Sequence, residues 1–179
     1  MALKDKLSII LVTSPIVSHP STELIDKVVT SFDKVKDLCS CSLLILADGV
    51  KCGKFRPKKG VVTSEMVNTY DSFLERLRVK VREAKADSIW SRTSVVKMTE
   101  HLGFGHVVYY GLRHCQTDYV MVVQHDHPFS VSFRCGVCDK SSINTFRYSS
   151  LDPAIQLLDS GQAVYISLPI STVWRHINR

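Results

Sequence analysis

Residues 119–128 read YVMVVQHDHP and join an apolar run to a polar strand end. Five apolar residues, three of them valine, are typical of a strand covered on both faces of a parallel sheet. An amide, a carboxylate and two imidazoles follow at once, which is more polar chemistry than a turn requires. The stretch therefore predicts a buried strand, Tyr119–Val123, whose carboxyl end carries candidate functional side chains.

Strands and helices alternate along the rest of the chain. Short apolar runs rich in β-branched residues predict further strands at Leu7–Thr13, at Leu43–Ala47, more weakly at Ser94–Met98, and at Ala163–Leu168. Apolar residues at helical spacing predict helices over residues 24–35, from Thr63 or Ser64 to residue 84, over 105–115 and over 152–160. This alternation favours right-handed crossovers between parallel strands. We therefore expect an α/β fold, a mostly parallel central sheet with helices on both faces, in a single domain spanning residues 1–179.

The composition limits the class of protein. The 179 residues are 45% hydrophobic and 22% charged, which is ordinary for a globular domain and excludes a disordered or fibrous chain. Lys and Arg number 23 against 17 Asp and Glu, which leaves a net charge of +6. An anionic partner is favoured, whether a nucleotide, phosphate, nucleic acid or acidic membrane.

The cysteines and the N-terminus bear on the cellular compartment. Six scattered cysteines do not make a disulfide scaffold in a chain of this size, which favours a reducing compartment. Lys4 and Lys6 ahead of LSIILV imitate a signal peptide. Asp5 among the charges, Pro15 within the apolar part and the lack of a small-residue cleavage site argue against one. No apolar run approaches the about 18 residues that a bilayer crossing needs. We predict a cytoplasmic protein without a transmembrane segment.

Ligands of parallel α/β sheets bind beyond the carboxyl ends of the strands. The residues at those ends are Thr13, Ser14 and Pro15, then Asp48 and Gly49, and finally Gln124, His125, Asp126, His127 and Pro128. Asp126 is a hard oxygen ligand, and a carboxylate beside histidines suits Mn²⁺ or Zn²⁺ better than Ca²⁺. The plainer interpretation is that Asp126 and Asp48 cap turns and that the histidines lie at the surface.

A basic segment follows the second strand end. Five of the nine residues from Lys51 to Lys59 are cations, namely Lys51, Lys54, Arg56, Lys58 and Lys59. Glycines and Pro57 among them predict a mobile loop, which would neutralise a diphosphate, grip a nucleic-acid backbone or remain solvated without a ligand. Nucleic-acid binding is the less attractive interpretation because Phe55 alone interleaves the charges.

Cys135 and Cys138 form a C-x-x-C pair, which is half a zinc site, a redox pair or two free thiols. A zinc site would need two more ligands, from Cys39 and Cys41 or from the histidines of the QHDHP run. The sequence has no G-x-S-x-G, no P-loop and no complete G-x-G-x-x-G. Triphosphate hydrolysis and hydride transfer are therefore disfavoured.

Residues 101–127, HLGFGHVVYYGLRHCQTDYVMVVQHDH, resemble the central segment of family 2 glycosyltransferases with the GT-A fold. The family pattern is roughly N-x-G-x-x-x-A-x-N-x-G-L-x-x-A-x-G-D-Y-I-x-F-L-D-x-D. The matching residues are Gly103, Gly111, Leu112, Asp118, Tyr119 and Val120, with no gap before the acidic motif. LSIILVTSP and LLILADG are similar to the family's first two strands, so the resemblance covers about residues 7–128. His101, Tyr109 and Gln124 depart from the pattern, replacing its two asparagines and the first aspartate of D-x-D.

The resemblance implies a site for a nucleotide-diphosphate sugar. In the family, the first aspartate of D-x-D helps to hold the nucleotide sugar, the second binds the metal that bridges the diphosphate, and an acid at the second strand end contacts the base or ribose. Gln124 retains hydrogen bonding but supplies no charge. The resulting candidates for ligand binding are Thr13, Ser14, Asp48, Gly49, Lys58, Lys59, Gly103 and Gln124. Those for Mn²⁺ or Mg²⁺ are Asp126 and His127.

We therefore predict a metal-assisted, inverting glycosyltransferase that transfers a sugar to an acceptor, whether a glycan, a protein or a lipid. Residues of about 7–128 would bind the nucleotide sugar, and a short part of about 129–179 would face the acceptor. Asp126 is the catalytic candidate, since its metal would stabilise the leaving diphosphate. The sequence singles out no residue as the base, and the acids in the acceptor-side part of the chain are Asp139, Asp152 and Asp159. The alternatives are a non-catalytic module that binds a nucleotide sugar or glycan, and a basic α/β domain that binds nucleic acid.

Overall fold

The computed structural model describes residues 2–56, 60–129 and 150–166. Its helices are α1 (Leu3–Lys6), α2 (Glu23–Ser31), α3 (Ser64–Arg82), α4 (Phe104–Leu112) and α5 (Asp152–Asp159). Its strands are β1 (Leu7–Thr13), β2 (Ser42–Ala47), β3 (Phe55–Arg56), β4 (Gly60–Val61), β5 (Thr93–Lys97) and β6 (Tyr119–Gln124). Short 3₁₀ helices lie at Phe32–Lys34, Leu38–Ser40 and Ile89–Arg92.

Four strands form one parallel sheet in the order β5-β2-β1-β6. In the middle of this sheet, β1 has all seven of its residues buried. Its Val12 lies opposite Leu46 of β2 and Gln124 of β6, so the three strands end together. The predicted α/β fold with a parallel central sheet is confirmed.

Helices cover both faces of the sheet. The larger core contains Leu7, Ile9 and Leu11 of β1 together with apolar residues of α2 and α3. The smaller core contains Ile10 and Val12 with residues of α4. Here α4 lies so close to the sheet that a Cβ on Gly111 would come within 2.6 Å of a side-chain carbon of Leu46. A larger residue there would make the ends of the Leu46 and Ile10 side chains shift.

The long helix α3 begins where the sequence predicts. The Thr63 hydroxyl accepts a hydrogen bond from the Met66 N–H at 3.2 Å, which caps the first turn. The helix then buries one apolar stripe against the sheet, made of Tyr70, Phe73, Leu74 and Leu77. The stripe and the cap together account for the start and the orientation of the helix.

Four expectations are corrected. The described parts of the predicted loop, residues 50–56 and 60–61, are not a plain loop, because β3 and β4 pair antiparallel, Gly53 N–H donates to the Val62 carbonyl and Val62 N–H donates to that of Lys54. Two predicted α-helices end early, the first at Ser31 rather than at residue 35 and the third at Leu112 rather than at residue 115. No strand forms over residues 163–166, where Val164 and Tyr165 are 97% and 78% exposed and pair with no strand edge among the described residues. The remainder of that predicted strand lies outside the described residues, as do Cys135, Cys138 and Asp139.

None of the helices within the described ranges combines the length and the apolar composition that a bilayer crossing demands.

Candidate ligand site at the carboxyl edge of the sheet

Hydrogen bonds between neighbouring strands continue one residue past the strand ends. Asp48 N–H donates to the Thr13 carbonyl at 2.8 Å, Met98 N–H donates to Ala47 at 2.8 Å, and His125 N–H donates to Val12 at 3.2 Å. The segments that leave β1, β2, β5 and β6 are thus fixed side by side along one edge. Most of the ligand candidates from the sequence therefore share this edge.

Asp48 lies at the end of β2, is 3% exposed, and has both carboxylate oxygens engaged. Oδ1 accepts from the Leu102 N–H at 2.8 Å, and Oδ2 accepts from the Gly103 N–H at 3.2 Å and from His101 Nδ1 at 2.5 Å. The Tyr70 hydroxyl donates to its carbonyl at 3.0 Å. A buried carboxylate requires such donors to offset its lost hydration. Asp48 therefore fastens the connection between β5 and α4 to the end of β2.

Two glycines let that connection take its path. A Cβ on Gly49 would lie 2.2 Å from the Glu100 carbonyl oxygen, so the backbone after β2 touches the backbone after β5. Gly103 precedes α4 with φ of 80°, a conformation that other residues rarely adopt. The sequence predicts both glycines as ligand contacts, and the structure gives each a backbone role.

His101 is the residue of this edge that sequence reasoning missed as a functional group. Its side chain is 46% exposed while Nδ1 contacts the buried Asp48. Because a carboxylate only accepts hydrogen bonds, Nδ1 carries a proton toward Asp48, and Nε2 is the ring nitrogen left for another partner. The available signal was a histidine two residues before a glycine at a strand end, combined with Asp-Gly at the neighbouring strand end.

The turn after β6 is open to solvent. His127 N–H donates to the Gln124 carbonyl at 3.2 Å, and His127 Nε2 lies 3.4 Å from Oδ1 of Asp126, whose side chain is 51% exposed. His125 is half-buried, with Nδ1 3.3 Å from the Val12 carbonyl. The turn therefore presents one carboxylate and one imidazole together.

The fit of this turn to a metal ion is limited to two protein donors. Nowhere in the described parts of the chain do three His, Cys, Asp or Glu side chains lie close enough together to hold a metal. A dication at Asp126 and His127 would complete its coordination with phosphate oxygens and water, as Mg²⁺ commonly does.

Thr13 is 1% exposed, so its hydroxyl is not offered to a ligand from solvent. Among the described residues its Oγ1 is the buried side-chain oxygen that lacks a hydrogen-bond partner. It follows Leu7, Ile9 and Leu11 on the same side of β1, which is the side of α2 and α3. Ser14, the next residue, is half-buried.

Of the basic residues that the sequence singles out, Lys51 and Lys54 belong to the described part of the chain. Lys51 and Lys54 are exposed in the segment that runs from β2 into the β3–β4 hairpin. Lys58 and Lys59 lie outside the described residues.

Asp159 lies at the amino ends of the strands, whereas the candidate site lies at their carboxyl ends, so Asp159 is not placed to act as its base. It accepts from Lys6 Nζ at 2.5 Å and from the Tyr119 hydroxyl at 2.7 Å, and these residues stand at the amino ends of β1 and β6. The hydrogen bonds from Lys6 and Tyr119 hold the pKa of its carboxyl below the usual value. Asp152 begins α5 and is exposed.

Cys39 and Cys41, two of the extra zinc ligands that the sequence offers, both have a raised pKa. Burial, with a hydrogen bond to Asp33, raises the pKa of Cys39 to about 12, and burial raises the pKa of Cys41 to about 11.

A groove of about 880 Å³ lies elsewhere, beside α2. Lys27, Lys34 and Arg76 line it together with Pro128 and Phe129. None of the ligand candidates from the sequence lines this groove.

Comparison with known proteins assigns no family. No protein-family model matches the chain, and neither does any curated protein sequence. One solved structure with a likeness is the mannosyltransferase PcManGT from Pyrobaculum calidifontis in complex with GDP-Man and Mn²⁺. It is 13% identical with a TM-score of 0.42, over 71% of this chain and 29% of that one, so this chain spans less than a third of that protein. At such values the likeness assigns this chain no activity.

Proposed function

We propose that this protein is a glycosyltransferase that binds a nucleotide-diphosphate sugar along the carboxyl edge of its sheet and transfers the sugar to an acceptor hydroxyl. The observation that carries the proposal is the alignment of the Asp48 and Gln124–His127 strand ends on one edge. These are the positions at which the resemblance over about residues 7–128 leads us to expect ligand contacts. The net charge of +6 supports an anionic ligand.

The diphosphate would lie at the turn after β6. Asp126 and His127 would hold Mn²⁺ or Mg²⁺ there, and a bound dication would neutralise the charge that develops on the leaving diphosphate. Gln124 would hydrogen-bond a sugar or ribose hydroxyl, which its amide does without charge. Lys58 and Lys59 would add cations that attract the diphosphate.

In the transfer step the acceptor oxygen would bond to the anomeric carbon as the bond from that carbon to the diphosphate oxygen breaks. The acceptor proton would go to a base on the acceptor side, and the diphosphate would keep the bonding electron pair. We place the nucleotide-binding part at residues of about 7–128 and the acceptor-side part at about 129–179, within one domain.

The first experiment is isothermal titration of UDP, GDP, CDP and ADP with Mn²⁺ or with chelator. We expect one of them to bind more tightly with Mn²⁺, and Asp126→Asn to remove the metal-dependent part because Asn lacks the charge that a hard dication requires. The matched control is Asp118→Asn, an exposed acid at the opposite end of β6, which should bind like the parent. If Asp126→Asn also binds metal and nucleotide like the parent, the assignment of this strand end is wrong.

A second candidate function is nucleotide-sugar binding without catalysis. The observation in its favour is Gln124, which stands where the family pattern has an acid and therefore removes a charge next to Asp126. Hydrolysis of the bound donor in the presence of Mn²⁺ separates the two candidates. Turnover supports the enzyme, whereas tight binding without turnover supports the binding module. Gln124→Asp should strengthen the metal dependence in either case.

A further inference from the structure

We propose that His101, held by Asp48, is the residue that contacts the nucleoside part of the ligand and helps to select it. This inference rests on the proposed function and deepens it. An acid at the second strand end is expected to contact the base or ribose, but here both oxygens of that acid are already engaged by protein donors. The histidine that is attached to Asp48 presents the next polar atom toward solvent.

The imidazole is fixed in orientation. Nδ1 contacts Asp48 Oδ2 at 2.5 Å, and the flanking backbone is held by the Leu102 and Gly103 hydrogen bonds and by the close contact of Gly49 with Glu100. Since the ring is 46% exposed on a fastened backbone, Nε2 is available to a ligand without ordering a loop. A side chain oriented by a buried carboxylate is a common way to fix a histidine that contacts a ligand.

The position along the edge separates His101 from the diphosphate. Asp48 follows β2 and Asp126 follows β6, with β1 between them, so the two strand ends are about 10 Å apart across the sheet. A ligand whose diphosphate lies at Asp126 would therefore extend its nucleoside across the end of β1 toward His101. Asp48 is then a positioning residue, and His101 makes the contact.

The chemistry of the contact follows from the ring nitrogen that remains. Nδ1 is engaged by Asp48, so Nε2 is left for the ligand, and it suits a ribose hydroxyl or a polar edge of the base. A diphosphate held at Asp126 would lie about 10 Å from this end of the sheet, beyond the reach of the imidazole. His101 should therefore affect nucleosides and leave inorganic diphosphate unaffected.

The test compares two amides. In His101→Asn the amide nitrogen occupies the place of Nδ1, which keeps the bond to Asp48 and removes the Nε2 end. In His101→Gln the amide reaches the place of Nε2 and gives up the bond to Asp48. Titrations with the best-binding nucleoside diphosphate and with inorganic pyrophosphate are made for both variants and for His106→Asn, which changes an exposed histidine in the first turn of α4.

We expect His101→Asn to lose about ten-fold in affinity for the nucleoside diphosphate, the usual cost of one hydrogen bond. His101→Gln should lose less, and all variants should bind pyrophosphate like the parent. The opposite order, a silent Asn variant and an impaired Gln variant, would mean that His101 only holds the backbone and would overturn the inference.

Two further outcomes keep this inference distinct from the proposed function. If the parent binds a nucleoside diphosphate and His101→Asn binds it equally well, the inference fails while the proposed function stands. If the parent binds none of the four nucleoside diphosphates, both fail. Nitrogen chemical shifts of the His101 ring test the geometry without any ligand, and a proton on Nε2 in the neutral ring would overturn the inference.

Discussion

Two carboxylates at the same edge of one sheet have opposite surroundings. Asp48 is buried and accepts hydrogen bonds from two backbone N–H groups and one imidazole, whereas Asp126 is half-exposed beside a single histidine at 3.4 Å. Their place at a strand end is the same, so the difference comes from what packs around each. Both oxygens of Asp48 already accept hydrogen bonds from the protein, whereas the oxygens of Asp126 remain accessible from solvent. Position at a strand end therefore indicates a candidate site, and burial separates the carboxylate that holds the fold together from the one that remains open to solvent.

The largest expected effect comes from removing the buried carboxylate. Asp48→Ala leaves the Leu102 and Gly103 N–H groups without their acceptor and should lower the free energy of unfolding by about 3 kcal/mol. Asp126→Ala, the matched change at the exposed end, should cost under about 0.5 kcal/mol. Urea unfolding of both variants measures the difference, and equal losses would remove the contrast between the two ends.

A smaller effect is expected where the backbones of the two connections touch. In Gly49→Ala the new methyl group meets the Glu100 backbone, which should cost about 2 kcal/mol because a backbone gives way less readily than a side chain. Gly105→Ala is the control, since its Cβ would meet nothing within 4 Å and the residue is helical. It should be neutral or stabilising by about 0.5 kcal/mol. Thermal unfolding that ranked these two variants in the reverse order would contradict the close contact.

At the end of β1 we expect an effect of the opposite sign. Thr13→Val replaces a buried hydroxyl that has no partner among the described residues and should raise the free energy of unfolding by about 1 kcal/mol. The same change at Thr93, whose buried hydroxyl donates to the Ile89 carbonyl at 2.9 Å, should lower it by about 1 kcal/mol. Denaturant midpoints of the two variants should move in opposite directions. A loss of stability in both would show that Thr13 has a partner.

The smallest effect is expected at the amino ends of the strands, where Asp159 lies. Lys6 and Tyr119 lower the pKa of Asp159 in the folded state, so its contribution to stability is present above the pKa of the unfolded chain and is lost as the pH falls through the folded value. The carboxyl is solvent-exposed, so the contribution is small. Comparing the parent with Asp159→Asn, we expect a slight deficit of the variant near pH 7 that disappears in acid. A deficit that grew in acid would reverse the sign.

Much of the fold was readable from local sequence. The bounds of β1 were predicted to the residue, because an apolar β-branched run between charged and turn-forming residues marks a buried strand at both ends. The start of α3 was predicted because a cap and an apolar stripe agree. The β3–β4 hairpin was missed because its lysines and glycines hide the short alternation, and the predicted strand over 163–168 was inferred from composition without a known partner edge.

Only the general position of the candidate site could be predicted from the sequence. Strand ends could be predicted because a parallel topology brings them to one edge. The hydrogen bonds of Asp48 could not be predicted, because its partners lie over 50 residues further along the chain. Their approach to Asp48 depends on how β5 and α4 pack. His101 illustrates the limit. In the sequence, His101 was only a departure from the family pattern. Its contact with the buried Asp48 arises when the chain folds.

The order of the strands has a consequence for synthesis on the ribosome. β1 pairs with β2 within the first 47 residues, but its other edge pairs with β6, which begins about 110 residues after β1 does. Until that stretch emerges, the central strand of the sheet has a bare edge, the kind of surface that recruits other nascent chains. Closing so long a connection is also slow compared with forming the neighbouring hairpins and helices. The late arrival of β6 should therefore limit both the folding rate and the yield of this protein, and shortened chains ending before residue 119 should aggregate.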